Sequence, residues 1–277
     1  AGALEGVYAS VIDATSGAVF QSATLIDATA INPRCIRLGP NPTLFYLDTS
    51  SSPYLLKNIQ VDINNPIAFN SSNTIVSTVN ATNPTYDIAI NSADADAGNA
   101  VFAYNSSTST TLGVGYVTTD GVVGGPSNGF PAVVTVGSTN SNDLITIYTD
   151  QVNTDPTDSE RIYVAYSSRT ASQGLKIKRF KGVLTVEATH TVEGSATKIS
   201  GASIIVTQAG DLQIVYTMSA TNTYDYQVKG AVYDVSADTM GSTAIIKRSV
   251  GLASKLWEYD GNKYFVCIHD SDLQPTY

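Results

Sequence analysis

The chain has 277 residues, of which 43% are hydrophobic and only 14% charged, with a formal net charge of −9. That length supports one large core or two modest ones, and the scatter of apolar residues excludes wholesale disorder. No apolar run approaches the roughly 18–20 residues of a membrane-spanning helix, which argues against membrane insertion, and the acidic balance disfavours a protein that grips nucleic acid through clustered Lys and Arg.

Thr, Ser and Asn are abundant while Glu and Lys are sparse, and Tyr (16) outnumbers Phe (7) and Trp (1). Small hydrogen-bonding side chains favour turns over helix interiors, and aromatics in alternating runs favour half-buried strands, so the composition predicts an all-β fold. Ala1 is followed by no basic-then-apolar leader, so the chain is read as processed or as part of a longer one.

In chain order, Gly6–Asp13 and Val19–Ile26 form an opening strand pair. Five stretches then read alike, each a short strand, a turn and a second strand centred on an aromatic or branched residue. They are Cys35–Leu38 with Thr43–Asp48, and Ile88–Ile90 with Ala100–Asn105. Val133–Val136 with Leu144–Asp150 is the third, followed by Ser203–Val206 with Leu212–Thr217, and Leu256–Tyr259 with Tyr264–Asp270. The intervening turns carry Gly, Asn or Asp, and Asp260-Gly261 is a strong hairpin signal. Tyr46, Tyr104, Tyr148 and Tyr216 mark the second strands, the interval before Tyr148 being short and the one after it long. Further strands at Thr111–Val117, Arg161–Tyr166 and Tyr226–Tyr233 fill each interval, with Gln151–Glu160 as an inserted loop.

Four short strands per roughly 40–50 residues is the arithmetic of a β-propeller of four-stranded antiparallel blades. The opening pair matches the late half of a repeat, Gly230–Val235 and Thr243–Ile246. The chain thus starts with two outer strands and ends with two inner ones, which predicts about five blades in a single domain, 1–277, its ring closed by a shared blade. A two-sheet β-sandwich and an open run of blades from a larger propeller are the alternatives.

Residues that carry chemistry are few. His190 falls in the alternating run Val186–Val192 and reads as a strand residue. His269 lies beside Cys267, Asp270 and Asp272, but Cys267 and His269 share one strand face and no orienting partner is visible, so the reading is non-enzymatic. No nucleophile elbow, zincin, P-loop or dinucleotide motif occurs. Asp94 and Asp96, in Asp94–Asn99, have the carboxylate spacing of a short calcium loop; an Asp/Gly turn explains them equally. Apart from that calcium, no cofactor is expected. Cys35 and Cys267 pair only if ring closure brings the two ends together. The arginines are scattered along the chain, against a sialidase-like cluster. The basic run Lys176–Lys181 alternates between two faces and reads as an outer strand guarded by charge.

Tyr-centred second strands, the stretch Trp257–Val266 through Gln274–Tyr277, and the Gly6–Ile12 half-blade resemble the β-propeller segments of bacteriophage tail and nozzle proteins. The resemblance implies a non-enzymatic virion building block, a domain of a longer chain, assembled into a ring with other copies and with neighbouring tail proteins. It implies viral DNA passing along an acidic channel without specific binding, and a location in the virion tail, otherwise extracellular. Contacts to neighbours would fall on the loop with Asp155 and Asp158, and on Lys176, Lys178 and Lys181. The competing expectation is a carbohydrate-binding propeller for host-surface attachment, supported by abundant Tyr, Asn and Asp. Repeated sugar sites need an aromatic at an equivalent loop position of every blade, whereas the repeated tyrosines fall mid-strand.

Overall fold

The computed structural model describes residues 6–13, 15–62, 68–90, 99–107, 111–124, 133–137, 144–149, 161–167, 174–181, 184–194, 198–207, 210–219, 226–250, 254–259, 262–268 and 275–276, with the backbone alone beyond 246 and at 198, 200, 219 and 226. The chain opens with a hairpin of β1 (Val7–Ile12) and β2 (Val19–Asp27). The first blade runs β3 (Ala30–Leu38), β4 (Asn41–Asp48) and β5 (Tyr54–Asp62), whose far edge pairs with both β6 (Ala68–Phe69) and β7 (Asn73–Val79). The second is β8 (Tyr86–Ile90), β9 (Ala100–Asn105), β10 (Thr111–Val117) and β11 (Val133–Gly137). The third is β12 (Leu144–Thr149), β13 (Arg161–Ser167), β14 (Leu175–Lys181) and β15 (Val186–Glu193). The fourth is β16 (Lys198–Val206), β17 (Leu212–Ser219) and β18 (Tyr226–Asp234), with β19 (Thr239–Met240) and β20 (Ala244–Val250) on the edge of β18. A last sheet contains β21 (Ser254–Tyr259), β22 (Asn262–Ile268) and β23 (Pro275–Thr276). All the pairings are antiparallel meanders.

Period-two alternation explains how the sheets stack. In β9, Phe102 and Tyr104 pack with Phe45, Leu47 and Leu56 of the first blade, whereas Val101 and Ala103 pack with Ile147, Ile162 and Val164 of the third. In β13, Val164 and Tyr166 face the second blade, while Tyr163 and Ala165 join Ile214, Tyr216 and Tyr233 of the fourth. Each middle sheet therefore contributes to two different cores. A two-sheet sandwich gives each sheet only one inner face, so this is the packing of a β-propeller. First strands follow one another around the inside: β8 lies between β3 and β12, β12 next to β16, and β16 next to β21. Burying a large side chain of this kind contributes roughly 1.5–3 kcal/mol, which makes these inter-blade layers the main source of stability.

The third repeat is phased differently from the sequence expectation. Val133–Val136 belongs to β11, the fourth strand of the second blade, paired with β10. Leu144–Thr149 is the first strand of the third blade, so Tyr148 is not a second-strand tyrosine; Tyr163 and Tyr166 of β13 take that place. Both β11 and β12 are short Val/Ile-rich strands, and local pattern alone cannot tell a fourth strand from a first.

Through Val7, β1–β2 packs with Ala30, Tyr46 and Ile59 against the first blade, in the ring position that precedes it. Among the described residues β1–β2 and β21–β23 stand as separate sheets, and no ladder joins the two ends. The hairpin leaves Ile12, Val19, Phe20 and Leu25 exposed.

Candidate functional site

A charged cluster lies where the third blade meets the fourth. Its origin is a β-bulge: Arg179 pairs with Ala188 but Phe180 pairs with Val186, which leaves Glu187 as an extra residue in β15. A bulge re-aims its side chain. Glu187 turns onto Arg179 (Nε to Oε2, 3.1 Å), Arg161 (Nε to Oε2, 3.5 Å) and Lys181 (Nζ to Oε1, 3.7 Å). Arg161 and Lys181 are direct cross-strand neighbours on β13 and β14, a like-charge pairing that is unfavourable without the intervening carboxylate.

From the fourth blade comes the turn between β18 and β19. Asp234 Oδ1 accepts from the Ala237 N–H (2.8 Å) and the Ser236 hydroxyl (2.8 Å), an Asx-type turn that fixes the segment. The turn ends on Asp238 at φ 55°, a left-handed conformation that Asp tolerates better than most residues. Asp238 Oδ1 accepts from the Tyr233 hydroxyl (2.5 Å), and Arg179 Nη2 donates to its Oδ2 (3.3 Å). His190 Nε2 lies 2.8 Å from Oδ1 and, with the ring donating there, orients the carboxylate further. Arg179 Nη1 also donates to the Tyr233 hydroxyl (2.9 Å).

The electrostatics follow from these bonds. Tyr233's hydroxyl holds the Asp238 carboxyl below the usual carboxylate range; burial opposes this, and His190 and Arg179 reinforce it. Burial, then donation to Asp238, pushes the Tyr233 phenol upward. Behind the cluster runs an aromatic row, Tyr148 to Tyr163 (6.3 Å between ring centres), Tyr163 to Tyr233 (6.0 Å) and Tyr233 to His190 (5.1 Å). Tyr163 and Tyr233 are buried, so their rings support the site from behind and offer no stacking face. Side-chain exposure is 41% for Asp238, 49% for Lys181 and 33% for Arg161, against 11% for Arg179. The cluster thus has a sealed floor and a charged, wet rim.

The same position in the first blade shows what a purely structural tie looks like. Asn58 pairs with Phe45 as Arg179 pairs with Tyr163. It too crosses to the next blade, Asn58 Nδ2 donating to the Gly121 carbonyl (2.8 Å) in the turn after β10. That tie is neutral and fully buried. In the second and fourth blades the equivalent positions, Gly115 opposite Phe102 and Ala231 opposite Ile214, carry no polar side chain.

A second ionic contact lies on the first strands. Asp87 of β8 accepts the Ile147 N–H (3.0 Å) from the third blade and pairs with Arg34 of β3 (3.1 Å). Burial raises its pKa against the pull of Arg34 and these bonds. It joins three blades at once. Arg34 and Arg37 are both exposed on β3, the first strand of its blade.

Of the residues singled out from sequence, Lys176, Lys178 and Lys181 lie on β14, which pairs with strands on both sides and is not an outer strand. The expected alternation holds, and it separates them: Lys178 Nζ donates to the Thr189 hydroxyl (3.1 Å) and lies over the Tyr166 ring on the second-blade face, whereas Lys181 joins Glu187. Lys176 pairs with Tyr166 in register. His190 is a strand residue as read, yet it also touches Asp238. The expectation that no arginines cluster is corrected by Arg161 and Arg179 meeting at Glu187. Asp94, Asp96, Asp155, Asp158 and His269 lie outside the described residues. Cys35 is a free, exposed thiol, and the side chain of Cys267 lies outside the described residues. Among the described residues no group of three or more His, Cys, Asp or Glu could hold a metal ion. Sequence reasoning misses Glu187, Tyr233 and Asp238; the only local signals are the alternation of β14 and the Asp-rich turn after Tyr233.

No family model matches the chain, and no curated protein matches it. Among solved structures it is similar to a triple arginine-to-alanine mutant of AofleA from Arthrobotrys oligospora, with 12% identity and a TM-score of 0.57 over 92% of this chain and 71% of that one. AofleA itself matches with 10% identity and a TM-score of 0.51, covering 88% of this chain and 67% of that one. A GH43 β-1,3-galactosidase with galactodeoxynojirimycin matches with 10% identity and a TM-score of 0.44, covering 78% and 74%. At such identities the likeness shows a shared fold alone, and the third is too distant in shape to carry any argument.

Proposed function

We propose that the chain is a carbohydrate-binding β-propeller whose glycan site is the charged cluster where the third blade meets the fourth. The observation that carries this reading is the rim around Asp238: an ionised carboxylate, pre-oriented by Tyr233, His190 and Arg179, yet open to solvent. A fixed carboxylate flanked by a guanidinium and an imidazole can accept and donate to adjacent sugar hydroxyls through charge-assisted hydrogen bonds. Neighbouring donors already hold it in place, so little ordering cost remains at binding. Host-surface attachment is the role this chemistry suits. Because the second-strand tyrosines Tyr46, Tyr104 and Tyr216 are buried in the cores, the reading is of one polar site and not of an aromatic platform in every blade.

The test is a glycan array followed by titration of the best ligand with wild type and Asp238→Asn. Retention of a glycan by wild type, weakened about tenfold or more in the variant, supports the reading, since a charge-assisted hydrogen bond is worth about 1.5–3 kcal/mol. An array without any ligand rejects it. The tail-nozzle expectation predicts that second result, together with ring-shaped oligomers in electron micrographs.

A further inference from the structure

We infer that the ligand of the charged cluster between the third and fourth blades is an acidic glycan, one carrying carboxylate or sulfate groups, received by Arg161 and Lys181. This rests on the carbohydrate-binding reading and narrows it. The corresponding tie between the first and second blades uses neutral amides alone, Asn58 and Asn73 donating to the Gly121 carbonyl and Gln60 to the Thr119 carbonyl. Here three cations, Arg161, Arg179 and Lys181, gather on two carboxylates, Glu187 and Asp238, while the third carboxylate of the same turn, Asp234, is taken up by the Ala237 N–H and the Ser236 hydroxyl.

The distribution of contacts shows which cations serve the fold and which face outward. Arg179 is nearly buried, donates to Asp238 and Tyr233, and forms an ion pair with Glu187. Arg161 and Lys181 reach Glu187 only at 3.5 and 3.7 Å, with a third to a half of each side chain in solvent. Their like charges sit directly opposite one another on β13 and β14. An anion bridging the two relieves that repulsion and can accept from the partly exposed Arg161 guanidinium and Lys181 ammonium, while Asp238 and His190 remain in the same cluster for a neighbouring hydroxyl. A neutral sugar offers no charge to the two facing cations.

The experiment is isothermal titration of the whole chain with four probes: an oligogalacturonate, a sulfated galactose oligomer without uronic acid, a neutral galactose oligomer and poly-glutamate. The expected result is binding of one acidic oligosaccharide about tenfold or more above the neutral oligomer, weakening as salt rises; the two acidic arms distinguish carboxylate from sulfate. Arg161→Gln and Lys181→Gln should each bring the acidic-to-neutral ratio down about three- to tenfold. Thermal melts check that each variant is folded, and Lys181→Gln, at the exposed end of β14, serves if Arg161→Gln is not. Equal binding of neutral and acidic oligomers overturns the inference and leaves the glycan reading standing. Poly-glutamate binding as tightly as the acidic sugars also overturns it, pointing to an acidic polypeptide partner. Absence of binding by every probe overturns the inference and, joined to an empty array, the glycan reading with it.

Discussion

Gly113 of β10 lies directly opposite Tyr104 of β9, and the tyrosine ring lies across the glycine backbone. A Cβ added at Gly113 would stand 2.0 Å from Tyr104 Cε1, 2.2 Å from Cζ and 2.7 Å from Cδ1. Reaching the 3.4 Å of an ordinary contact requires the ring to move about 1.4 Å. It has nowhere to go. Tyr104 is 2% exposed, its ring centre is 6.0 Å from that of Phe102, and its hydroxyl is tied to the Thr78 hydroxyl at 3.2 Å. Gly113→Ala therefore costs about 1–3 kcal/mol of overpacking and about 1 kcal/mol for the Tyr104–Thr78 bond. Lower entropy of the unfolded chain returns about 0.5–1 kcal/mol. The net expectation is about 1–3.5 kcal/mol of destabilisation, or a Tm lower by about 2–14 °C at about 2–4 °C per kcal/mol. Calorimetric melts of Gly113→Ala, Tyr104→Leu and the double variant measure it. In the double variant the smaller Leu makes room for the new methyl, so the two changes should couple by at least about 0.5 kcal/mol. A Tm for Gly113→Ala within a degree of wild type, or strictly additive effects, refutes the packing argument.

Asp48 gives a pH prediction. Burial pushes its carboxyl up, but the Lys57 ammonium (2.6 Å) and donors from Ser50 and Thr29 outweigh burial and leave the pKa well below its ordinary value. A pKa lowered in the folded state contributes stability that is present above about pH 4 and is lost as pH falls towards the folded value. In urea titrations from pH 7 to pH 2, wild type should therefore fall towards Asp48→Asn, the gap being widest at neutral pH and closing below about pH 4. Tyr86→Phe removes a buried hydroxyl that donates to the carbonyls of Asn32 (2.7 Å) and Phe45 (2.9 Å), and a loss of about 1–2 kcal/mol is expected in the same titration. Tyr233→Phe takes away the strongest influence holding the Asp238 carboxyl down, so acid should abolish glycan binding at a higher pH in the variant than in wild type, as read from affinity across pH 3 to 6.

Much of the architecture was legible because strand propellers repeat a chemical rhythm. Thr43–Asp48, Ala100–Asn105 and Leu212–Thr217 fall within the predicted second strands β4, β9 and β17. Phase was harder: Val133–Val136 and Leu144–Thr149 are alike in composition, and only the pairing of β11 with β10 separates them. The candidate site was less legible still. Arg161, Arg179 and Asp238 are far apart in sequence and meet through a bulge at Glu187 and a turn supplied by the next sheet, neither of which has a pattern of its own. A sequence shows which face of β14 Arg179 occupies, but not which neighbour that face will meet.

During synthesis the ribbon from Val7 to Asp27 leaves the ribosome ahead of the sheets of all the blades described, and even in the finished fold Val19 and Phe20 are 60% and 61% exposed. Nascent chains fold from the N-terminal end, and two strands alone are marginal in water. Until the first blade receives Val7 beside Tyr46 and Ile59, this ribbon has no core of its own, so replacing Val19 and Phe20 by Thr should raise soluble yield without lowering the melting temperature.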